Sequence, residues 1–312
     1  MLKRPKTDFW TVGVVPEKLS HLTPERLRAL KDQIQWMPLA GDWQYYADPF
    51  GLREGDRLHV FVEHFDYRSK KGELRRLTLD LATGTWTAPV CVLQLPCHLS
   101  YPFVLQHEGQ WWMVPESSQA GEIALYRADG PSEDPTSRWT RVGPLLADVP
   151  GVDASLIQHD GRWWMFYAVI GPHKKDQREL HVAHAPELTG PWSVHPANPV
   201  LTSEQGARPG GTPFVGRDGK IHLPVQDRRF GYGSGARLVR VDGLSPSAIE
   251  VQDLGTRYTG DLAHSDFPDG LHTLTACGDV TLLDVKRIDR SRARTLIDMK
   301  RRFRRAVRRV MP

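Results

Sequence analysis

Residues 102–116, PFVLQHEGQWWMVPE, and residues 154–168, ASLIQHDGRWWMFYA, are two copies of one pattern set 52 residues apart. In each, a short apolar run leads to an acidic residue and a glycine, then to Trp-Trp-Met and a second apolar run. Glycine tolerates the positive φ of a tight hairpin, so Glu108-Gly109 and Asp160-Gly161 read as β-hairpin turns. The signal recurs in REGDR, RDGKI and PDGLH, which puts turn glycines at 55, 109, 161, 219 and 270, spaced by 54, 52, 58 and 51 residues. A second marker keeps the same beat, since Trp86, Trp139 and Trp192 are each 53 residues apart. Five units of about 50 residues, each with about four short strands, predict an all-β fold, a five-bladed β-propeller. A β-sandwich with coincidental spacing is the alternative.

Around these units the rest of the chain falls into place. WTVGVV (residues 10–15) precedes the first full unit and is expected to complete the last blade, which removes exposed sheet edges. Thr23 to Gln35 has helical character, with Pro24 suited to a first turn after Thr23. The Trp111-Trp112 and Trp163-Trp164 pairs are expected to pack between neighbouring blades, with sugar stacking as the other use. Residues 1–287 are thus expected to form the propeller and residues 288–312 a basic helical tail.

Composition narrows the class. No apolar run approaches the roughly 20 residues that span a bilayer. The start, MLKRPKTDFW, lacks the apolar core of a signal peptide, so export is not expected and a cytoplasmic location is. Cys91, Cys97 and Cys277 form no CxxC and cannot all pair, which points to a reducing compartment and argues against a zinc or disulfide framework. The net charge of +4 is unevenly spread: residues 286–312 carry twelve Lys/Arg against two Asp, leaving the body at −6.

The inner strand of each propeller blade lines the central channel, so its start faces a common funnel. Aligned on the turns, these starts read Ala47-Asp48-Pro49-Phe50, Ser100-Tyr101-Pro102-Phe103, Val152-Asp153-Ala154-Ser155 and Arg208-Pro209-Gly210-Gly211. Two carboxylates, a hydroxyl pair and an arginine would share one cavity, where burial and mutual repulsion separate carboxyl pKa values and suit them to general acid or base work. Capping of a turn is the plainer role for Asp48 and Asp153. The ends of the second strands carry Glu63, Glu116 and Gln226-Asp227, a second ring at one channel mouth, with a salt bridge to Arg208 or Arg228 as the structural alternative.

The segments ADPFGLREGDRLHVFVEHF, HLSYPFVLQHEGQWWMVPES, VDASLIQHDGRWWMFYA, GPWSVHPANPV, ARPGGTPF, PVQDRRFGYG and GLHTLTACGDVTLLDVKR carry a resemblance to a known family. The chain resembles the five-bladed propellers of glycoside hydrolase family 43. It is more similar to a branch that includes the propeller region of plant glucosamine inositolphosphorylceramide transferases and bacterial proteins found with sugar-modifying enzymes. By that resemblance Asp48 would be a general base and Asp153 a modulator. Where the hydrolases place a general acid on blade four, this chain has Arg208. An inverting hydrolase needs that acid, and Glu116 is the substitute within reach of the pattern. A transferase needs cations for a phosphate leaving group instead, and Arg208, with Arg228 and Arg229 nearby, could make bidentate contacts to it.

The resemblance therefore implies a glycosyltransferase, inverting, with Asp48 deprotonating the acceptor and Arg208 contacting a nucleotide-sugar or other sugar-phosphate donor. Ser100, Tyr101, Glu63, His98, Gln226, Asp227, Arg228 and His272 are the expected substrate-binding residues, and His264 an expected support. A divalent cation could accompany the donor, although no ligand cluster with helpful spacing is visible. A furanoside-directed hydrolase and a non-catalytic glycan-binding propeller remain open.

In the tail, Leu296, Met299, Phe303, Ala306, Val307 and Val310 recur at helical spacing, with arginines and Lys300 on the other face. A basic amphipathic helix of this kind is expected to adsorb to an anionic membrane surface at the inner face. Packing against the acidic body is the alternative. Nucleic acid is not expected, since stacking aromatics are nearly absent there and the body is acidic. The partner expected of the funnel is a glycan or glycolipid acceptor.

Overall fold

A computed structural model describes residues 6–129 and 138–310, with the side chains of residue 302 and residues 304–310 outside the described set. The chain forms a five-bladed β-propeller followed by a helix, Ala293–Val310. Blade one comprises Gln44–Glu54, Arg57–Asp66, Lys71–Asp80 and Thr85–Trp86, with Val90–Leu93 also paired to its third strand. Blade two comprises Ser100–His107, Gln110–Glu116, Ile123–Ala128 and Trp139–Leu146. Blade three comprises Gly151–His159, Arg162–Val169, Glu179–Ala185 and Ser193–Val194, and blade four Phe214–Val215, Ile221–Asp227, Gly235–Asp242 and Glu250–Tyr258.

Blade five joins the two ends of the chain. Its inner hairpin is Leu274–Cys277 and Val280–Asp289, and Thr7–Val15 pairs antiparallel with Val280–Asp289 over nine residues before Gln35–Trp36 adds the outer edge. This closure leaves no open edge between first and last blades. The short helix Pro24–Ala29 lies between these outer strands, its first turn held by Thr23, whose hydroxyl accepts from the Arg26 N–H at 3.2 Å.

The turn glycines Gly55, Gly109, Gly161 and Gly219 have φ of 58°, 72°, 70° and 72°, as a tight hairpin requires. The fifth expected turn is corrected. The last blade turns at Gly278 (φ 62°), whereas Gly270 bridges to Lys286 and sits so close to Gly233 that a Cβ would lie 1.9 Å from its carbonyl. PDGLH is a turn-like peptide used for close backbone packing.

The tryptophan pairs lock blades together. Trp111 of blade two packs on His59 of blade one, and Trp163 of blade three on His107 of blade two, with centroids 5.5 and 5.0 Å apart. Their partners Trp112 and Trp164 donate from the indole nitrogen to the carbonyls of His107 and His159, five residues earlier in each blade. Apolar clusters fill the interblade spaces: Phe50, Phe61, Tyr101, Met113 and Met165 between blades one to three, and Trp164, Leu223 and Val239 between three and four. Fully burying each such side chain contributes roughly 1.5–3 kcal/mol.

Candidate active site

The site is built from one backbone device used three times. The first two strands of blades one, two and three shift register between Ala47 and Phe50, Ser100 and Phe103, and Val152 and Ser155. Inside each bulge one residue takes a positive φ: Asp48 at 52°, Tyr101 at 45° and Asp153 at 52°. An extra residue in a bulge re-aims its side chain, and a non-glycine residue in the left-handed region carries backbone strain that clusters at functional sites. Pro49 and Pro102 have no N–H to lose from the ladder, so they fit the interruption.

These turned-in residues are stitched around the channel. Asp284, fully buried on blade five, accepts from the backbone N–H groups of Asp48, His272 and Thr273, each at 3.0 Å. Its Oδ2 also lies 2.7 Å from His272 Nδ1, while His272 Nε2 lies 3.2 Å from Asp48 Oδ1. Asp48 accepts in turn from the Thr273 hydroxyl and the Tyr101 N–H, both at 3.2 Å. The result is a buried chain, Asp284–His272–Asp48, with Trp10 stacked 4.0 Å from the His272 ring.

Burial pushes the Asp48 carboxyl up from 3.8 to about 6, with His272 pulling the other way. Burial also works to lower His272, but the carboxylates of Asp284 and Asp48 outweigh it and raise the imidazole. Asp48, His272 and Asp284 form a set of potential cation ligands. Asp284 is already saturated by four donors and the imidazole is held between two carboxylates, so the set fits proton handling better than a metal.

A second cluster faces the first across the channel. Arg208 binds Asp153 through Nε and through Nη2 at 2.9 Å, reaches Glu116 from Nη2 at 2.8 Å, and leaves Nη1 3.7 Å from Asp176. Gln226 donates to Asp153 Oδ2 at 2.7 Å. Burial raises Asp153 to about 7 even against the attraction of Arg208. Glu63 is buried and pushed well above the carboxylate range, first by burial and then by the charges of Asp48 and Glu116. His98 accepts from the Gly72 N–H at 2.9 Å and sits 3.5 Å from Glu63, its own pKa lowered by burial and then by Arg208.

The remaining expected residues divide. Tyr101 is fully buried beneath the site: its hydroxyl accepts from the Gly211 N–H at 2.6 Å and meets Ser155 at 2.9 Å, so it braces blades two, three and four. Ser100 pairs by backbone with Glu116. Asp227 does not face the funnel. Neighbouring strand residues point to opposite sides, and while Gln226 turns inward, Asp227 turns out to Arg229 and Arg257 at 2.7 and 2.8 Å. That pairing also occupies Arg229. The Arg228 N–H donates to the Gln205 carbonyl at 2.8 Å, and among the described residues no ion pair joins its side chain to either carboxylate cluster. His264 lies apart, edge-on to Trp36 and Phe267.

Three site residues are not legible from the sequence. Asp284 sits inside the apolar strand VTLLDVK, where an isolated carboxylate is the one available signal. Asp176 comes from an irregular segment, Pro172–Gln177. Tyr232, in the loop RRFGYG, meets His272 edge-on at 5.6 Å.

Residues 39–258 match the family described as glucosamine inositolphosphorylceramide transferase 1, N-terminal. A protein of that name from Oryza sativa subsp. indica is 35% identical over 205 residues, covering 64% of this chain and 27% of the relative. The one from Arabidopsis thaliana is 27% identical over 260 residues, covering 76% of this chain and 32% of the relative. The chain thus spans about a quarter to a third of the length of these relatives. Among solved structures, an alpha-L-arabinofuranosidase from Podospora anserina in complex with cellotriose superposes with a TM-score of 0.59 at 11% identity, covering 82% of this chain and 95% of that one. The catalytic domain of a family 62 alpha-L-arabinofuranosidase from Coprinopsis cinerea gives 0.54 at 12% identity, covering 80% and 93%. These likenesses are of fold; the matched segment, more than half of the chain, makes this protein a member of the glucosamine inositolphosphorylceramide transferase 1 N-terminal family.

Proposed function

We propose that this propeller activates the hydroxyl of a glycan or glycolipid acceptor for glycosyl transfer from an activated sugar donor. The observation that carries the reading is the buried chain Asp284–His272–Asp48 at the channel. A general base works best with a pKa near the working pH, and Asp48 at about 6 is largely ionised at neutrality yet still basic. Asp48 would take the acceptor proton as the acceptor oxygen attacks the anomeric carbon and the bond to the phosphate leaving group breaks. His272, fixed between two carboxylates, orients Asp48. Asp284 orients His272 and holds the strained Asp48 backbone through its N–H.

Arg208 supports the leaving group in this reading. Two of its nitrogens are committed to Asp153 and Glu116, and Nη1, 3.7 Å from Asp176, is the edge that an anionic phosphate would take over from that carboxylate. That phosphate would belong to a nucleotide-sugar or other sugar-phosphate donor. The relatives' name, which specifies transfer to inositolphosphorylceramide, favours a glycolipid acceptor.

Hydrolysis is the second reading, favoured by Glu63. Its carboxyl, raised by burial, holds a proton more tightly than an ordinary glutamate and could protonate a leaving oxygen, with Asp48 as base and Asp153 as modulator. Glu116 accepts from Arg208 and is poorly suited to donate. The test is a panel of sugar nucleotides beside aryl furanosides, with parent and Asp48→Asn. Transfer lost in the variant supports the proposal. Furanoside hydrolysis without transfer overturns it in favour of hydrolysis, and glycan binding without turnover overturns it in favour of a binding module.

A further inference from the structure

The strand directions fix which face of the ring everything lies on. The hairpin turns at Gly55, Gly109, Gly161, Gly219 and Gly278 all lie on one face, because each joins an inner strand to its neighbour. Asp48, at the start of an inner strand, and Glu63, near the end of the next, lie toward the opposite face, where the funnel opens. The C-terminal helix leaves from that mouth face too, since Val280–Asp289 runs away from its turn toward it.

The helix is tied to the rim by its polar side. Arg294 stacks 4.8 Å over the Tyr67 ring and donates to the Lys6 carbonyl at 2.9 Å. Arg301 donates to the Tyr67 carbonyl at 3.2 Å and bridges to Asp298 at 2.8 Å. Tyr67 in turn packs on Phe65, which packs on His98 beside Glu63. Residues 294, 298 and 301 fall on one helical face, toward the propeller.

The apolar stripe therefore points outward. Leu296, Met299 and Phe303 are 58%, 52% and 72% exposed, the reverse of a helix that buries its apolar face against its own body. The rim of the same mouth exposes further apolar side chains from separate loops, Leu39, Ile170 and Phe230, the last at 79%. The helix sequence, ARTLIDMKRRFRRAVRRV, carries eight Lys/Arg against one Asp. The side chains of Ala306, Val307 and Val310, expected on the same apolar stripe, lie outside the described residues. No helix among the described residues is long and apolar enough to cross a membrane.

We infer that the helix and the mouth rim dock together on an anionic lipid surface, with the funnel opening toward the bilayer. An outward apolar stripe on a helix of so basic a sequence suits the headgroup boundary of such a surface, and an acidic body without this helix would be repelled from it. The docking stands on the helix and rim alone. Its use, presenting a lipid-held acceptor to Asp48, rests on the transferase reading.

The test is co-sedimentation of the full chain with vesicles of phosphatidylcholine alone, or with roughly a third phosphatidylserine. Binding is expected to the anionic vesicles only, and to weaken with salt. Leu296→Ser/Met299→Ser/Phe303→Ser should lower the affinity about tenfold or more at an unchanged melting temperature, because these side chains touch little of the propeller. Phe230→Ser should weaken binding less but measurably, which a helix acting alone would not produce. Asp48→Asn should bind vesicles as the parent does, so failure of the chemistry and failure of the docking read separately. The inference is overturned if anionic vesicles leave the chain in solution, if the triple variant binds like the parent, or if the stripe instead holds a dimer that the triple variant dissolves.

Discussion

Replacing Asp48 by Asn should make the protein relatively more stable as the pH rises. Burial lifts this carboxyl from 3.8 to about 6, so the folded chain holds the Asp48 proton more tightly than the unfolded chain does. Folding is therefore undisturbed by this group at low pH, loses stability as the pH climbs from the unfolded toward the folded pKa, and is flat above it. Each tenfold change in proton affinity is worth about 1.4 kcal/mol, so the charged side chain costs between about 1 and 2 kcal/mol near pH 5 and about 3 kcal/mol near pH 8. Asparagine carries no such dependence. The stability of Asp48→Asn relative to the parent should improve by about 1 kcal/mol between about pH 5 and pH 8, while Asp153 contributes nearly equally to both proteins. Urea unfolding followed by tryptophan fluorescence at the two pH values measures it, with equal m-values as the check that only stability changed. A difference that stays constant, or moves in favour of the parent, would mean that His272 holds Asp48 ionised and that the base assignment is wrong.

Other outcomes follow from the same geometry. Asp284→Asn removes the anchor of His272 and of the Asp48 N–H, and should cost about 3–5 kcal/mol and lower any turnover about 100-fold, read by denaturation and by rate. Arg208→Met leaves Asp153 and Glu116 facing each other without their cation, so stability should fall by about 3 kcal/mol or more at neutral pH and recover in acid as Asp153 protonates. Gly211→Ala should fold poorly or melt far lower, since its φ is 143° and a Cβ would lie 1.7 Å from the Leu274 carbonyl. Thr23→Ala, removing a helix cap at the surface, should cost only about 1 kcal/mol in thermal denaturation.

The blade plan was readable because each blade must turn tightly at the same point, and blades two and three each seat a tryptophan against the blade before. Sequence spacing exposes both demands directly. The fifth beat misled, because PDGLH and CGDV both satisfy turn chemistry and only strand pairing separates them. The repeat also brought Asp48, Tyr101 and Asp153 to equivalent positions without revealing their equivalent strain. That strain turns the two acids inward and makes Tyr101 a brace. Alternation was needed to split Gln226 from Asp227. Asp284 was hidden for a different reason: a buried carboxylate in an apolar strand has no local motif, and its partners Asp48 and His272 lie 236 and 12 residues away. The outward-facing tail was half legible, its periodicity plain but its direction relative to the body decided by three side-chain contacts.

Every step of the proposed transfer passes through Asp48 as the base that frees the acceptor hydroxyl. The direct measurement is sugar transfer from nucleotide donors to an inositolphosphoryl glycolipid, by the full chain and by Asp48→Asn. Transfer by the parent, falling about 100-fold or more in a variant that still folds and still binds anionic vesicles, is the predicted result. Undiminished transfer by Asp48→Asn, or hydrolysis of aryl furanosides with every sugar nucleotide left intact, would contradict it.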